Sequence, residues 1–557
     1  MSRRNKAVFL FTLLFLLVGW EVLIPGRVQL SEPGPSITSL LPPLIAITMA
    51  LITREVILSL FSGVWIGATI LAGYRPFQGL ATALDTYLVE SLADMSHSAI
   101  ILFSLGFGGI IGVIGANGGM KGIVQKASQY ARTARSSQIA TMLMGILIFF
   151  DDYANTLLVG NMMRPFTDRL KVSREKLAYL VDSTAAPVAS LALISTWSVF
   201  QMSLLEEPYR EFGITGSPYI TFLQSIPYSF YCILTLIFMF LLLWSRRDYG
   251  QMFQAERRAR VEGKVLADDA RPLANTELFD SEDLKVKESH WSDAMIPIAT
   301  VIAVTLLGLY ITGKRGLAPE DELNLRNIIG ASNSYASLMW GSFTAGFTAI
   351  VVSVARGVLS LRESIESWLT GVRSMVLACI VLVLAWSLGK ICGDVHTADY
   401  IVNMTGTFLS PFLLPAVTFI TAALISFSTG TSWGTMSILV PIIVPMQLRM
   451  VGGDPNMIIG QPLFLATFAS VLSGAVFGDH CSPISDTTIL SSTASGSDHI
   501  DHVKTQLPYA ITTAVISVLA GYLLVGLGVP WIVMAVTGVG AVVGAVWLLG
   551  KRQEAED

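Results

Sequence analysis

The chain has 557 residues, of which 53% are hydrophobic and only 14% charged. Soluble domains average about 25% charged residues, so this is the composition of a membrane protein. The net charge of −4, with no basic run interleaved with aromatics, excludes a nucleic-acid partner, and the four scattered cysteines lack the spacing of a zinc site or a disulfide framework.

Apolar runs predict an all-α polytopic membrane protein with about 12 transmembrane helices in the bilayer. In chain order the runs fall at about 7–25, 38–53, 56–73, 98–119, 177–204, 218–244, 293–313, 333–355, 374–391, 459–500, 508–528 and 529–549. Basic residues precede the first run and no small-residue cleavage site follows it. Residues 1–37 are therefore predicted to form an uncleaved first transmembrane helix and an external loop.

One stretch, at about 137–165, has two arms, about 137–150 and 155–165, that are each too short to cross a bilayer, and it predicts a re-entrant hairpin. The matching segment in the second half, at about 411–449, predicts a second hairpin. Each precedes a predicted broken helix, at about 177–204 and 459–500, because proline interrupts the helix there. The charged segment 245–292 is predicted to be a solvated cytoplasmic connector. The distribution of Lys and Arg places both chain termini on the cytoplasmic side.

The halves on either side of the connector are copies of each other. Matching pairs are Gly67 and Gly346, Val124 and Val402, and Phe150 and Phe427. Because six crossings are predicted before the connector, the second copy runs in the opposite direction. The sequence thus predicts inverted repeats at 38–244 and 293–528, with 529–557 as a last transmembrane helix and cytoplasmic tail.

Carboxylates stand inside apolar segments at the first hairpin tip and at the second broken helix. A charged side chain at bilayer depth costs roughly 2.5–3.5 kcal/mol, so it is rarely kept without a function. Broken helices expose carbonyls and helix ends that can coordinate a cation, and carboxylate and hydroxyl oxygens suit a small hard cation. The predicted cation- and proton-binding residues are Asp479, Asp486, Asp151, Asp152 and Asn155.

A carboxylate that accepts either a proton or a sodium ion, never both, is enough for obligatory exchange. Burial and a neighbouring like charge favour its protonated form, which lets protons compete with the cation. The polar residues around these carboxylates are predicted to contact the transported substrate. They are Thr156, Asp182, Ser428, Thr429, Thr431, Ser432, His480, Ser482, Ser485 and Thr487.

Structural roles stay open for several of these residues. Asp182 could cap the helix that continues past it, and Asp151 could satisfy amides in the hairpin tip. The tip at 428–432 could be a simple turn, and His480 could be an interhelical hydrogen-bonding residue. The charged stretch 498–504 is predicted to be a solvated end of a helix.

Three long runs resemble the NhaC family of sodium/proton antiporters. They are FFDDYANTLLVGNMMRPFTDRLKVSREKLAYLVDSTAAPVA (149–189), FSTGTSWGT (427–435) and GDHCSPISDTTILSSTASGSDHIDHVKTQLPYA (478–510). The resemblance implies the ion-transporter superfamily fold, an elevator-type motion of the hairpin-bearing part and a homodimer. By motif position it supports Asp151, Asp152, Asn155, Asp479 and Asp486 as site residues.

The predicted function is a Na⁺(Li⁺)/H⁺ antiporter of the bacterial inner membrane, with no cofactor besides the transported ion. The alternative is a Na⁺- or H⁺-coupled exchanger of a small organic solute, a carboxylate or an amino acid, on the same fold. An intramembrane aspartyl protease is disfavoured because the residues before Asp479, Ala475-Val476-Phe477-Gly478, do not form the GxGD pattern of such enzymes.

Overall fold

The computed structural model describes residues 34–53, 55–128, 132–272, 290–317, 328, 331–405 and 410–552. The first predicted transmembrane helix, at about 7–25, lies outside the described residues. So do the last five residues of the chain.

The part before the connector is helical throughout. Its helices are α1 (Leu41–Thr53), α2 (Val56–Leu71), α3 (Pro76–Thr82), α4 (Val89–Ala93), α5 (Met95–Ala116), α6 (Gly119–Ser128), α7 (Ala134–Leu147), α8 (Asp152–Arg169), α9 (Arg174–Thr184), α10 (Ala186–Leu191), α11 (Thr196–Ser203), α12 (Glu206–Glu211), α13 (Pro218–Ser225) and α14 (Phe230–Ser245). A π-helical segment, Ala83–Leu88, joins α3 to α4.

The remainder has one connector helix and a second helical half. The helices are α15 (Gly250–Arg257), α16 (Ser292–Gly316), α17 (Ser334–Ala355), α18 (Leu361–Ser374), α19 (Val376–Asp394), α20 (Thr397–Thr405), α21 (Leu414–Thr429), α22 (Ser432–Val451), α23 (Pro455–Ile458), α24 (Pro462–Cys481), α25 (Asp486–Ser495), α26 (His499–Ile516), α27 (Leu523–Gly526) and α28 (Trp531–Leu549). Two short strands, β1 (Arg247–Asp248) and β2 (Lys551–Arg552), pair antiparallel and join the connector to the C-terminal segment.

Nine helices in the described residues are long and apolar enough to cross a membrane, and the number rises to 12 if each of three bent helix pairs is one span. The predicted all-α polytopic membrane fold is confirmed. In the first broken helix the chain leaves helical geometry at Ala185, and a bend of 51° follows at residues 192–195. Pro187 does not mark that bend, because proline is tolerated in the first turn of a helix such as α10.

The packing of corresponding helices gives the direction of the two repeats. In the contact between α2 and α19, Gly63 lies against Leu388. One turn further along both helices, Gly67 lies against Ile391. The residue numbers rise together, so α2 and α19 are parallel.

Helix α5 makes the corresponding contact with α17 and also packs on α19. Gly106 lies against Ser342 and Gly346 against Ile110, so α5 and α17 are parallel. Along α19 the order is reversed, because His97 stacks on Trp386 while Gly108, further along α5, lies against Met375. Therefore α17 runs opposite to its counterpart α2, and the two repeats are inverted.

The first part of the connector is docked on the helices, which contradicts its predicted solvation. Glu256 is fully buried and accepts hydrogen bonds from the backbone N–H and hydroxyl of Ser173, both at 2.8 Å, and from the side-chain amide of Gln138 at 3.0 Å. Arg258 donates to both carboxylate oxygens of Glu175. These contacts fix α15 to α7 and to the start of α9.

Candidate functional site

The second hairpin tip is held tightly against the second broken helix. Gly430 ends α21 with φ +72°, and a Cβ atom there would lie 2.6 Å from the carbonyl oxygen of Ile484, so only glycine fits. Thr431 then caps α22 by accepting a hydrogen bond from the backbone N–H of Gly434. The Ser482 hydroxyl donates to the carbonyl of Phe427 at 2.7 Å, which joins the tip to the break between α24 and α25.

The first hairpin tip is organised by Asn155. Its side-chain amide donates to the carbonyls of Gly145, Ile148 and Thr184, at 2.6, 3.1 and 2.9 Å. Asn155 is fully buried, so these bonds join both arms of the hairpin to the end of α9. Its amide group therefore holds the tip, and Thr156 donates within α8 to the carbonyl of Asp152.

We expect Asn155→Leu to lower the free energy of unfolding by about 2–4 kcal/mol, because buried carbonyls lose their donor. Thermal unfolding of the detergent-solubilised protein measures this. Asn161→Leu is the matched control, since its amide donates to the carbonyl of Leu157 at the exposed side of the same helix. Equal melting temperatures for the two variants would contradict a structural role for Asn155.

The two tips meet at one cavity of about 600 Å³. Apart from Ser374, its polar lining comes from the hairpin tips and broken helices and includes Asp151, Asp152, Thr196, Thr429, Thr431, Ser432, Asp479 and Thr487. On the opposite side the wall is mostly apolar and belongs to α5 and the start of α19: Ile111, Met375, Leu377 and Val381. The inverted repeats thus bring polar groups from both halves of the chain to a single place.

Asp479 accepts a hydrogen bond on each of its two carboxylate oxygens. One of its oxygens accepts from the Ser485 hydroxyl at 2.7 Å and the other from the Thr487 hydroxyl at 2.9 Å. The side chain is only 3% exposed. The break between α24 and α25 is what lets both hydroxyls reach it, because helical geometry stops at Ser482 and resumes at Asp486.

Asp151 and Asp152 approach the same space from the first tip. Asp151 accepts a hydrogen bond from the Thr196 hydroxyl at 3.3 Å, and Asp152 opens the first turn of α8. Asp152 lies within electrostatic range of both Asp151 and Asp479, and all three are buried. The cavity therefore holds three acidic side chains that cannot all be ionised cheaply.

Other predicted site residues lie elsewhere. Ser428 is exposed and donates to the carbonyl of Leu424, and the side chain of Asp486 lies outside the described part of the structure. Asp182 and His480 lie outside the cavity lining, in a second buried polar cluster.

That second cluster contains residues whose burial the sequence interpretation missed. Asp182 accepts from Ser491, Gln506 and His502, while His480 contacts the hydroxyls of Ser183 and Tyr231; the distances are 3.2, 2.7, 3.3, 3.0 and 2.7 Å in that order. His502 is fully buried, so the prediction that 498–504 is a solvated helix end is wrong at this position. The spacing of His502 and Gln506, one turn apart on one helical face, was the available signal.

The polar side chains of the cavity offer carboxylate and hydroxyl oxygens, which are hard ligands. Within the described ranges, no three His, Cys, Asp or Glu side chains converge as a metal centre requires. The oxygens that contact the Asp479 carboxylate are the hydroxyls of Ser485 and Thr487, which are hard ligands without charge.

Comparison with known proteins identifies relatives. Residues 188–527 match the Na⁺/H⁺ antiporter family, a range that includes the second hairpin and Asp479. An uncharacterized protein of Haemophilus influenzae is 32% identical over 513 residues, covering 89% of this chain and 92% of that protein. The arginine/ornithine antiporter ArcD of Halobacterium salinarum is 27% identical, over 45% of this chain and 44% of its own.

Among solved structures, the YdaH transporter of Alcanivorax borkumensis is similar to this chain with a TM-score of 0.52. The superposition covers 81% of this chain and 90% of that one, at 15% sequence identity. At this identity the likeness concerns the fold alone.

Proposed function

This chain belongs to the Na⁺/H⁺ antiporter family, and from that membership we propose that it exchanges Na⁺ or Li⁺ for protons across the bacterial inner membrane. It is a secondary transporter of a small ion or solute and not an enzyme. The exchange takes place in the cavity between the hairpin tips, with Asp479 as the principal ion-binding carboxylate.

The observation that carries this proposal is the environment of Asp479. It is a buried carboxylate with one hydroxyl on each oxygen, in a cavity that it shares with Asp151 and Asp152. The hydroxyl groups of Ser485 and Thr487 donate hydrogen bonds to this carboxylate. If they rotate so that their hydrogens point away, their oxygens can coordinate a cation beside it.

Competition between ions follows from the crowding of negative charge. Three buried carboxylates in one cavity repel each other, so the stable states are those in which a proton or a cation neutralises part of the charge. A bound cation neutralises part of this charge and so lowers the affinity of the carboxylates for a proton. A bound proton lowers their affinity for the cation in the same way. Either ion can then bind only after the other has been released. The two ions therefore cross the membrane in opposite directions, which is antiport.

The distribution of polar groups supports an elevator-type motion. With the exception of Ser374, the polar lining belongs to the hairpins and broken helices, whereas α5 and the start of α19 present apolar side chains. A body that carries all of the ion ligands can slide along an apolar wall without breaking ion contacts to it. Rocking of two halves that share the ligands would break such contacts.

We expect purified protein in liposomes with an acidic interior to release protons when Na⁺ or Li⁺ is added outside, and not when K⁺ is added. A carboxylate oxygen attracts the larger K⁺ ion less strongly than Na⁺ or Li⁺, because the centre of its charge lies farther from the oxygen. A fluorescent amine that is quenched inside acidic vesicles reports the release as dequenching.

No response to any of the three cations between pH 6.5 and 9, with folded protein, would contradict cation/proton exchange. The same vesicles would then be tested for counterflow of a small carboxylate or amino acid. Liposomes without protein control for passive leak of protons.

A further inference from the structure

Three helical segments lead from the ion cavity to the side of the protein that lies opposite the connector. Thr196 of α11, Ser432 of α22 and Val381 of α19 all line the cavity. Further along, α19 packs directly on α22, because a Cβ atom at Gly389 would lie 3.3 Å from the Cβ atom of Pro441. We term the contact surface of the three segments the outer seam, which is formed by residues 196–211, 381–394 and 432–451.

The path of the first half gives the direction of the outer seam. Helix α9 begins at the connector, where Glu175 pairs with Arg258, and ends at the first hairpin tip, where the carbonyl of Thr184 accepts a hydrogen bond from Asn155. Helix α11 begins at that same tip. The bend of 51° between the two parts is well below a right angle, so the chain continues away from the connector.

Helix α22 follows α11 along this path. Near the cavity the ring of Trp433 stacks on Phe200, with 4.0 Å between the ring centroids. At the far end the guanidinium of Arg449 lies 2.6 Å from the carboxylate of Glu211. Glu211 also approaches α19, since a Cβ atom at Gly393 would lie 3.3 Å from its carboxylate oxygen. The three segments therefore stay together from the cavity to the surface.

Buried polar side chains without partners lie along the outer seam. Ser437 and Gln447 come from α22 and Gln201 from α11, and each is at most 1% exposed. Within the described residues, no hydrogen-bond partner is found for the Ser437 hydroxyl, for either polar atom of the Gln447 side chain or for Oε1 of Gln201. Burial of such groups without a partner costs free energy, and polar groups at membrane depth are tolerated where they line a route for water.

Helical spacing places Ser437 inside the outer seam. Residues 433, 437 and 441 lie about one turn apart on one face of α22. Trp433 contacts α11 and Pro441 contacts α19, so Ser437 stands between these two contacts. A hydroxyl on a helix can donate to the preceding turn, as that of Thr435 does to the carbonyl of Thr431 at 2.9 Å. Ser437 makes no such bond and remains available to water.

Charged residues close the outer seam at the surface. Arg210 of α12 lies 2.6 Å from Asp94, which precedes α5, but these side chains are 50% and 23% exposed. Water therefore weakens the ion pair. Four carboxylates and two guanidinium groups form this rim: Asp94, Glu207, Glu211, Asp399, Arg210 and Arg449. The excess of negative charge attracts cations.

The cavity itself extends to the other side of the hairpin tips. Helix α8 leaves the first tip and ends at Arg169, close in sequence to Ser173, which bonds Glu256 of the connector. Two residues of α8, Tyr153 and Leu157, line the cavity and are 39% and 38% exposed. The cavity is thus reached from the connector side, while the outer seam is packed shut.

We propose that the outer seam is the closed half of the ion pathway, which fills with water when the hairpins and broken helices move against α19. This inference rests on the proposed Na⁺/H⁺ exchange. A hydrated monovalent cation then passes from the negative rim along Gln447, Ser437 and Gln201 to Asp479. The unpartnered hydroxyl and amide groups hydrogen-bond the water of the open route. Their lost hydrogen bonds destabilise the closed state and so favour opening.

Labelling of single cysteines by a positively charged, membrane-impermeant thiol reagent tests this route. The four native cysteines are first replaced by alanine. Met457→Cys, 73% exposed just beyond α22, and Lys264→Cys in the connector identify the two sides of the membrane. Ser437→Cys should be labelled from the side that labels Met457→Cys. Gln447→Cys gives a second, independent reading of the same route.

Ser470→Cys is the matched control for burial. Ser470 is fully buried in α24, and its hydroxyl donates to the carbonyl of Thr467 at 2.7 Å, so it should stay unlabelled. Modification of Ser437→Cys should also stop Na⁺-dependent proton release, because the label fills the route. Modification of Met457→Cys should leave that release unchanged.

The rim gives a further measurement on the same protein. Arg210→Gln removes the ion pair with Asp94 and should speed labelling of Ser437→Cys about two- to five-fold, which is the usual strength of an exposed pair. Arg362→Gln is the control, because Arg362 forms an exposed pair with Glu366 on α18, away from the seam. It should not change the labelling rate.

Three results in folded protein would overturn the inference. These are labelling of Ser437→Cys and Gln447→Cys no faster than that of Ser470→Cys, labelling from the connector side alone, or exchange that continues after Ser437→Cys is modified. Failure of the proposed function is a separate observation. In that case the native protein shows no Na⁺ flux coupled to a pH gradient, whereas the labelling pattern still reports whether the seam opens.

Discussion

Asp479→Asn is expected to abolish cation/proton exchange while the protein remains folded. Asparagine keeps the size of the side chain and can still accept a hydrogen bond from one of the hydroxyls of Ser485 and Thr487. It removes the negative charge that attracts the cation. At a separation of 4 Å and an effective dielectric constant of about 20, that attraction is worth about 4 kcal/mol, or about 1000-fold in cation affinity.

The measurement is Na⁺-dependent dequenching in liposomes, together with Na⁺ binding by calorimetry on the same preparation. Asp85→Asn is the matched control, since Asp85 is exposed on a short helical segment away from the cavity. Folding is monitored by gel filtration and melting temperature. Native-like exchange by folded Asp479→Asn protein would remove this residue from the ion site.

Substitution of Asp151 or Asp152 is expected to reduce cation/proton exchange less than Asp479→Asn does, and the two substitutions are expected to differ in their effect. Asp151 accepts a hydrogen bond from Thr196 at the tip, and Asp152 lies within electrostatic range of Asp479. Loss of Asp152 should therefore relieve repulsion at Asp479 and shift the pH dependence of exchange toward lower pH. This shift follows because a proton binds less well to Asp479 when a neighbouring negative charge is removed.

The hairpin tips could be predicted from the sequence because polar residues stand inside apolar segments there, at matching places in the two halves of the chain. Thr429, Thr431 and Ser432 stand in an apolar segment whose counterpart in the first half contains Asp151 and Asp152, and the fold brings both sets to the cavity. Asn155 has the same polarity and position, yet its amide is directed at three backbone carbonyls. Residue type indicates burial cost but not the direction of a side chain.

Sequence patterns could not show which residues are buried by partners that lie far away along the chain. His502 stands among charged residues that are typical of a helix end, and its partner Asp182 is far away along the chain. Glu256 in the connector looks like a surface residue because its partners, Ser173 and Gln138, belong to other helices. Local composition predicts solvation in such stretches, and only tertiary packing overrides it.

The second large effect is a loss of stability, expected when the ion pair between Lys176 and Asp248 of the docked connector is broken. The Lys176 ammonium lies 2.6 Å from the Asp248 carboxylate, and both side chains are at most 5% exposed. Asp248 also accepts from the Tyr509 hydroxyl at 2.7 Å. The pair thus joins β1 to α9 and α26, the helices that carry Asp182 and His502.

Asp248→Ala should lower the free energy of unfolding by about 3–5 kcal/mol, because it leaves the Lys176 charge buried without its partner. The double variant Lys176→Met, Asp248→Leu should recover most of that loss, since apolar residues of similar volume need no partner. Melting temperature and denaturant unfolding in detergent measure both. The connector then stabilises α9 and α26, and transport is expected to fall with stability in Asp248→Ala.

An exposed pair within the same connector provides the control. Lys264 and Asp268 form an ion pair at 2.7 Å, but their side chains are 47% and 80% exposed. Water and salt screen such a pair, so Asp268→Ala should change stability little. If Asp248→Ala and Asp268→Ala were equally stable, the connector would be a surface attachment after all. If the double variant were as unstable as Asp248→Ala, the loss would come from packing or from the Tyr509 hydroxyl and not from the unpaired lysine.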